Sequence, residues 1–396
     1  MQCGRPLLLR QAFAPEAFDQ VILGCVNVIA DEMNPARVAA LRLGMGEAMT
    51  AFTVQINCGS GMQSIDIAYR YIRAGAADLI LAGGAEALSH APLIFRRSAV
   101  EWYASMFGAR GLWSRLKAFA GIRPGLFMPV IGLERGLTDP VVELNMGQTA
   151  EVLAHVFHIS RRDADQYAAE SQQRLVRAQS ARYFDGEVEP AFARDGKIYD
   201  RDDGARPDST VESLAKLKPA FERPWGKVTP GNSSQITDGA SWVILASEDA
   251  VSKYDLKPRA VILDSQWSAL DPSIMGLGPV LCSTALLRRH QLALADIELW
   301  ELNEAFAAQV LACLAAWQDE TFCREVLGLE RPAGAIPRDR LNVDGGAIGL
   351  GHPVGASGNR IVLHLVNAMN RLGLRRGIAT ECIGGGQGGA MLIEAV

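Results

Sequence analysis

The chain has 396 residues, of which 49% are hydrophobic, and a formal net charge of -5 at pH 7. This length exceeds one ordinary hydrophobic core and predicts two or more domains, and the acidic balance gives no general case for nucleic-acid binding. No apolar run approaches the roughly 18 residues of a membrane-spanning helix. The apolar stretch at residues 7–9 is too short for the core of a signal peptide.

The cysteines and histidines do not have the spacing of a metal site or a disulfide framework. The seven cysteines are odd in number and lack any C-x-x-C pair, and the six histidines form no HExxH motif. We therefore expect no bound metal, no structural disulfide and a reducing, cytoplasmic location.

The first predicted unit places a cysteine between a strand and a helix. Residues 52–56 are typical of a strand and residues 61–74 of an amphipathic helix, with the sequence NCGSG at 57–61 between them. A thiol at a helix N-terminus meets free N–H groups and the positive end of the dipole, so we expect a lowered pKa for Cys58. Such a thiolate is a candidate nucleophile, although a small buried cysteine at a tight turn has the same pattern.

The central region has a different composition from its surroundings. Residues 91–231 contain few strand patterns and several helical ones, among them 161–182, where Ser160 and Asp163 predict a capping box. Within this region, residues 95–123 are rich in aromatic and basic side chains and include a single acidic residue, Glu101. A basic, aromatic helical stretch in an acidic chain predicts an interfacial or docking element; packing on its own protein is the alternative.

The C-terminal third contains three more segments whose residues could take part in catalysis or binding. They are NEAF at 303–306, GGAIGLGHPVGASG at 345–358 and ECIGGGQGG at 381–389. Each has an ordinary interpretation: His352 as a turn histidine, Asn303 as the cap of a helix from 305 to 313, and the glycines of 384–389 as a phosphate-binding loop. That loop lacks the G-x-G-x-x-G layout with its acidic partner.

The C-terminal segments also repeat the organisation of the cysteine unit. Residues 53–84 and residues from about 341 to 386 both follow the order strand, glycine-rich turn, helix, strand and Gly-Gly. Gly61 and Gly358 stand at equivalent helix starts. A duplicated α/β domain explains this echo better than chance.

Taken in order, these segments resemble the active site of the thiolase family, and the resemblance extends from about Asp19 to Val396. It implies an α/β, duplicated thiolase fold: two similar βαβαβαββ halves in five αβαβα layers. The implied domains are an N-terminal half at 1–90 completed by about 232–255, a helical loop domain at 91–231 that covers the acyl-CoA, and a C-terminal half at 256–396.

The resemblance also implies chemical roles. Thiolases interconvert a 3-ketoacyl-CoA plus CoA with two shorter acyl-CoA molecules, so coenzyme A is implied as a substrate and no cofactor as tightly bound. Cys58 matches the nucleophile, His352 the base that takes its proton, and Cys382 the second acid/base. Asn303 matches the residue that fixes a water beside the thioester oxygen, and the N–H groups of Cys58 and Gly384 match the donors to the other oxyanion.

Substrate contacts are implied by weaker likenesses. Arg206 matches a residue near the CoA adenine, and Ser234 the last serine of a loop that contacts pantetheine. Met146 and Met275 match candidate walls of the acyl pocket. A solvated loop charge for Arg206 and a core position for Met275 are the alternatives.

The chain departs from the family pattern in two places. The usual first strand, with its Arg-Thr-Pro motif, is absent, so we expect either a misassigned start codon or an N-terminal sheet without that strand and with an exposed edge. The stretch at 95–123 resembles an insertion in the β-subunits of the trifunctional β-oxidation complex, which serves membrane or partner contact. Those subunits usually carry His where this chain has Asn303, so the subtype is mixed.

The sequence therefore predicts a degradative 3-ketoacyl-CoA thiolase of fatty-acid β-oxidation. The long loop domain favours this subtype, as does Asn145, which replaces the His of acetoacetyl-CoA thiolases. A homodimer or homotetramer is expected, with a β-oxidation partner subunit or membrane contact through 95–123. The alternatives are a biosynthetic, acetoacetyl-CoA-forming thiolase, a decarboxylating ketoacyl synthase and a non-catalytic scaffold subunit.

Overall fold

Two mixed four-stranded sheets organise the chain in a computed structural model that describes residues 1–193 and 195–396. The first part contains α1 Gly4–Leu9, β1 Gln20–Gly24, α2 Pro35–Arg42, β2 Thr50–Val54, α3 Ser60–Arg73 and β3 Leu79–Ala87. The central part contains β4 Leu93–Ile94, α4 Arg97–Gly108, α5 Leu112–Ala120, β5 Val130–Ile131, α6 Gly132–Gly136, α7 Met146–Val156, α8 Arg161–Ser180, β6 Ala191–Phe192, β7 Ile198–Tyr199 and α9 Val211–Leu214. The last part contains β8 Asp238–Ala246, α10 Glu248–Lys253, β9 Ala260–Ala269, α11 Gly278–Arg289, β10 Leu299–Leu302, α12 Ala307–Ala316, α13 Glu320–Glu325, α14 Ala347–Leu350, α15 Val354–Leu372, β11 Arg376–Ile383 and β12 Gln387–Ala395.

The two sheets share a topology. The first has the order β2-β1-β3-β8, in which β1 is parallel to β2 and β3, and β8 is antiparallel to β3. The second has the order β10-β11-β12-β9, in which β10 is parallel to β11, and β12 is antiparallel to both of its neighbours. The second sheet thus has β9 beyond β12, whereas the first sheet, over the described ranges, ends at β8.

Helices α3 and α15 lie between the two sheets and form the central layer. Their apolar faces share one buried cluster with the inner faces of both sheets; it includes Ile22, Met62, Ile65, Leu299, Ile361, Leu365 and Met391. The outer face of the first sheet packs against α2, and that of the second against α11 and α12. This is the five-layer αβαβα order that the sequence predicts.

Two glycines allow the central helices to touch. A Cβ atom on Gly61 would lie 2.7 Å from the backbone nitrogen of Asn359, and one on Gly358 would lie 2.6 Å from that of Met62. Both distances are shorter than a side chain tolerates. The two glycines that mark the internal repeat are therefore the contact points between the halves.

One local prediction is confirmed and another is wrong. Ser160 and Asp163 form the predicted capping box at the start of α8. The strand expected near residue 341 is wrong as a full element, because Leu341 makes only an isolated bridge with Trp300. None of the helices in the described ranges is both long and apolar enough to cross a bilayer.

Candidate active site

Cys58 lies in a tight turn that joins β2 to α3. The Ser60 hydroxyl donates to the carbonyl of Asn57 at 2.7 Å and accepts from the backbone N–H of Ile56 at 2.9 Å. Asn57 itself has a φ of 46°, a left-handed conformation that asparagine tolerates better than most residues. These bonds fix the direction in which the thiol leaves the backbone, and the residue is half-buried.

His352 enters from the loop between α14 and α15 with one ring nitrogen free. Its backbone N–H donates to the carbonyl of Gln235 at 2.9 Å, and Nδ1 lies 2.6 Å from the Ser357 hydroxyl. Because that hydroxyl donates to the carbonyl of Pro353 at 3.1 Å, we assign the ring proton to Nδ1, which donates to Ser357. Nε2 is buried and has no hydrogen-bond partner in the part of the chain that the structure describes.

Asn303 follows the end of β10 and lies beside the histidine. Its backbone N–H donates to the carbonyl of Thr380 at 2.9 Å, and its amide nitrogen is 3.5 Å from Nδ1 of His352. It does not cap a helix, because α12 begins at Ala307 with Phe306 at the N-cap position. The alternative interpretation of Asn303 as a cap is therefore wrong.

Cys382 and Gly384 come from the end of β11 and the turn that follows it. Cys382 is buried, and its pKa is raised well above the ordinary value, first by burial and then by the nearby Cys58. The backbone N–H of Gly384 lies near enough to Cys58 to lower the pKa of its thiol. The turn leads into strand β12, and no helix begins there, so the alternative interpretation as a phosphate-binding loop is wrong.

The pKa of Cys58 is shifted upward, whereas the sequence predicts a downward shift. Burial raises it to about 12, and the charge of Glu381 adds to the rise. The N–H groups of Gly384 and of Cys58 itself oppose this shift without overcoming it. The thiol is therefore protonated at neutral pH and needs a base before it can act as a nucleophile.

The predicted substrate residues divide into two groups. Met275 packs in one cluster with Cys382 and Met146, and the Met146 sulfur lies 3.2 Å from the position that a Cβ on Gly384 would occupy. Ser234 lies at the edge of this group, since its backbone N–H donates to the carbonyl of Ala305, another member of the cluster, at 3.0 Å. Arg206 is different: it is exposed, and its backbone N–H donates to the side-chain carbonyl of Gln172 at 2.8 Å.

Comparisons with known proteins assign this constellation to a family. Profiles of the thiolase N-terminal and C-terminal domains match residues 2–249 and 256–395. The chain belongs to the thiolase family. A probable acetyl-CoA acyltransferase of Staphylococcus epidermidis is 37% identical to this thiolase over 394 residues, which cover 98% of the chain and 90% of that protein. One of Staphylococcus aureus is 38% identical over 384 residues, or 96% and 88% of the two chains.

Solved structures agree with this assignment. Human mitochondrial 3-ketoacyl-CoA thiolase is 38% identical, with a TM-score of 0.84 over 99% of this chain and 91% of that one. The structure of the same human protein in complex with CoA is 38% identical in sequence, with a TM-score of 0.84 over 99% of this chain and 90% of that one. Acetyl-CoA acetyltransferase of Bacillus anthracis is 34% identical, with a TM-score of 0.84 over 100% and 92% of the two chains. The predicted family and fold are confirmed.

Sequence reasoning missed a buried carboxylate that supports the site of this thiolase. Glu304, next to Asn303, accepts hydrogen bonds from Tyr167 at 2.8 Å, Ser171 at 2.7 Å and Asn342 at 3.1 Å. Tyr167 and Ser171 lie on α8, so the network connects the central region to the loops that hold the candidate residues. The NEAF motif marked the position of Glu304, but nothing in the sequence indicated its partners.

The environment of His352 predicts an unusual titration for this thiolase. Burial, with the positive charge of Arg360, lowers its pKa from 6.5 to about 4. The fold therefore favours the neutral ring: this contribution to stability is fully present above pH 6.5 and is lost as the pH falls through the range from 6.5 to about 4. In a histidine NMR titration, we expect one ring resonance to keep the chemical shift of a neutral imidazole at pH 5. The same resonance should be absent from the spectrum of His352→Gln. A midpoint near 6.5 for that resonance would contradict the prediction.

Proposed function

We propose that this thiolase cleaves a 3-ketoacyl-CoA with free CoA, giving acetyl-CoA and an acyl-CoA shortened by two carbons. One observation carries the proposal: turns from both halves bring the thiols of Cys58 and Cys382 near each other and near the N–H of Gly384. Asn303, which bonds the strand that carries Cys382, lies beside the buried, neutral His352 with its free Nε2. This set supplies a nucleophile, a base, an acid and an oxyanion donor at one place.

In the first half-reaction, Nε2 of His352 takes the proton of Cys58 as the sulfur attacks the 3-keto carbon. The N–H groups of Cys58 and Gly384, which both reach the sulfur region, would hold the resulting oxyanion. Its collapse breaks the bond between C2 and C3, leaving an acyl group on Cys58 and the enolate of acetyl-CoA. His352, now protonated, and Asn303 would stabilise the enolate oxygen while Cys382 protonates C2.

In the second half-reaction, the Cys382 thiolate takes the proton of an incoming CoA thiol. The CoA sulfur attacks the acyl carbon on Cys58, and the same two N–H groups would hold the tetrahedral oxyanion. Its collapse releases the shortened acyl-CoA, and the Cys58 sulfur recovers its proton from His352. All groups then return to their starting protonation states, so no cofactor is consumed.

Residues 91–231 would cover the acyl-CoA as the loop domain of this thiolase. Met146 from this region and Met275 would form the acyl wall, since both contact the Cys382 cluster. Phe221 adds to the same wall, because its ring lies 6.3 Å from that of Phe306. Ser234 would meet the pantetheine, and Arg206 the adenine.

We further propose a degradative role in β-oxidation and a homodimer or homotetramer. Asn145, where acetoacetyl-CoA thiolases have His, is used as a helix cap: its side chain accepts from the N–H of Gln148 at 2.9 Å. This role leaves Asn145 less suited to replace a substrate-binding His and favours longer ketoacyl chains over acetoacetyl-CoA.

The test is thiolysis of acetoacetyl-CoA and of a long-chain 3-ketoacyl-CoA, followed by the loss of ketoacyl absorbance. Faster turnover of the long chain would support the degradative proposal, and faster turnover of acetoacetyl-CoA would favour the biosynthetic alternative. No turnover of either by folded protein would contradict the proposed function and favour the scaffold alternative.

The helices α4 and α5 carry a second proposed activity, attachment to an anionic bilayer. Phe107 and Trp113 are 89% and 84% exposed, and all six basic residues of 95–123 are also exposed, against one acidic residue. We expect Phe107→Ser/Trp113→Ser to lower sedimentation with phosphatidylglycerol vesicles by about tenfold while thiolysis is retained. Phe192→Ser, which changes another exposed aromatic, is the matched control. Equal sedimentation of all three proteins would contradict the proposal and leave a partner protein as the occupant.

A further inference from the structure

The side chain of Asn57 joins the two halves directly beside the nucleophile. Its amide nitrogen donates to the carbonyl of Gly384 at 2.8 Å, across 327 positions of sequence. Asn57 belongs to the turn after β2 and Gly384 to the turn after β11. The bond therefore crosses the boundary at which the site is assembled.

The backbone of Asn57 is held as firmly as that of Cys58. Its carbonyl accepts from both the N–H and the hydroxyl of Ser60, at 3.1 and 2.7 Å. With φ at 46°, the residue stays in the left-handed region. The turn that presents the thiol thus also fixes the direction of the Asn57 amide.

The loop that receives this amide is a turn of three glycines between β11 and β12, and at its far end the carbonyl of Gly386 accepts from the N–H of Leu270 at 2.8 Å. Gly385 and Gly386 have φ values of 90° and 77°, and three successive glycines have no side chains to pack. Glycine has more conformational freedom than any other residue. Yet the N–H of Gly384 lies near enough to Cys58 to lower the pKa of its thiol, so the position of this turn matters at the site.

We propose that Asn57 is a positioning residue, which holds the Gly384 loop so that its N–H stays directed at the reacting centre on Cys58. The inference rests on the proposed function, because the oxygen that needs this donor is the oxyanion formed when Cys58 adds to a carbonyl. Such donors act at about 2.7–3.1 Å from the oxyanion. A displacement of about 1 Å can cost about 100-fold in rate.

Two substitutions separate this role from support of the turn. Asn57→Gly keeps the left-handed backbone accessible and removes the amide. Asn57→Asp keeps the size and the backbone preference but replaces the donor with a carboxylate that faces a carbonyl. For both variants we expect kcat per active site to fall by about 100-fold, with KM for the ketoacyl-CoA within about twofold of the wild-type value, because the donor acts on the oxyanion and not on the bound ground state.

Gln55→Ala is the matched control. The Gln55 amide lies 3.5 Å from the other end of the Asn57 side chain, its Oδ1 atom, and has no proposed contact with the reacting centre. We expect this variant to keep the wild-type kcat. A loss equal to that of Asn57→Gly would overturn the proposal, because it would point to general loosening of the turn.

Active sites are counted by alkylation of Cys58 with iodoacetamide, and folding is followed by thermal melting. A residue that only supports the turn would lower the melting temperature or the number of sites, but not the kcat of each site. If kcat per site in Asn57→Gly is within threefold of wild type, the proposal is overturned. If Asn57→Gly does not fold, Asn57→Asp decides; if neither folds, the side chain serves folding and the proposal is likewise overturned.

The alkylation rate keeps the two proposals distinguishable. If wild-type protein cleaves no ketoacyl-CoA, the proposed function fails, but the position of the Gly384 N–H can still be read from the thiol. Loss of that donor should raise the pKa of Cys58 and slow alkylation of Asn57→Gly about tenfold at pH 9, the effect of one pKa unit. Equal alkylation rates in the two proteins would overturn the role of Asn57 independently of turnover.

Discussion

Replacement of Cys58 by alanine is expected to lower thiolysis by about 10⁴–10⁶-fold, the range for deletion of a nucleophile that acts as a unit with its base. No other described thiol can take its place. Cys382 is buried near Cys58, and burial raises its pKa well above the ordinary value. The measurement is loss of ketoacyl absorbance, together with mass spectrometry of protein quenched during turnover.

The matched control for this substitution is Cys323→Ala. Cys323 is also a free cysteine and is fully buried. It lies on α13, away from the site, and its thiol donates to the carbonyl of Trp317 at 3.3 Å. Its loss should leave kcat and the acyl adduct on Cys58 unchanged. An acyl adduct that persists in Cys58→Ala, or turnover within tenfold of wild type, would show that another residue is the nucleophile.

The architecture was largely predictable because local signals and the repeat agreed. The glycine-rich turn at 57–61 predicted a helix start, and α3 begins at Ser60. The second copy of the same order predicted the helix that becomes α15, which ends before a left-handed Gly373. A fold can be predicted from sequence when the turn residues, the helix and strand patterns and the internal repeat all indicate the same structure.

The sign of the Cys58 pKa shift could not be predicted from the same segment. The helix terminus is a local feature and is visible in the sequence. Desolvation depends on what packs around the sulfur, here the loop of Gly384 with Ile383 against Gly59, and these residues come from the other half. Burial then outweighs the backbone donors.

Contacts distant in sequence explain the other omissions. Glu304 meets Tyr167 and Ser171 across 137 and 133 positions, and each of those residues looks like an ordinary member of a helix. The role of Ser357 was closer to being predictable, because it lies in the same motif as His352, five positions later. One turn of helix after a loop is enough to bring its hydroxyl back to the ring.

Replacement of His352 by alanine is expected to lower kcat by about 10³-fold at pH 7, within the range of general-base catalysis. The reason is the raised pKa of Cys58, about 12, which leaves almost no thiolate without a base. In the variant, as long as the pH is below that pKa, each increase of one pH unit should raise the thiolate fraction tenfold. The variant's rate should therefore climb with pH between 7 and 10, while the wild-type rate stays nearly flat.

Two further substitutions show whether this loss belongs to the imidazole. Ser357→Ala keeps the ring but removes the acceptor that lies 2.6 Å from Nδ1, so a smaller loss of about tenfold is expected from the less fixed tautomer. His290→Ala removes a partly exposed histidine that bonds Asp264 at 2.9 Å and should leave kcat unchanged. A His352→Ala rate that matches wild type at pH 7, or that does not rise with pH, would mean that another group takes the proton from Cys58.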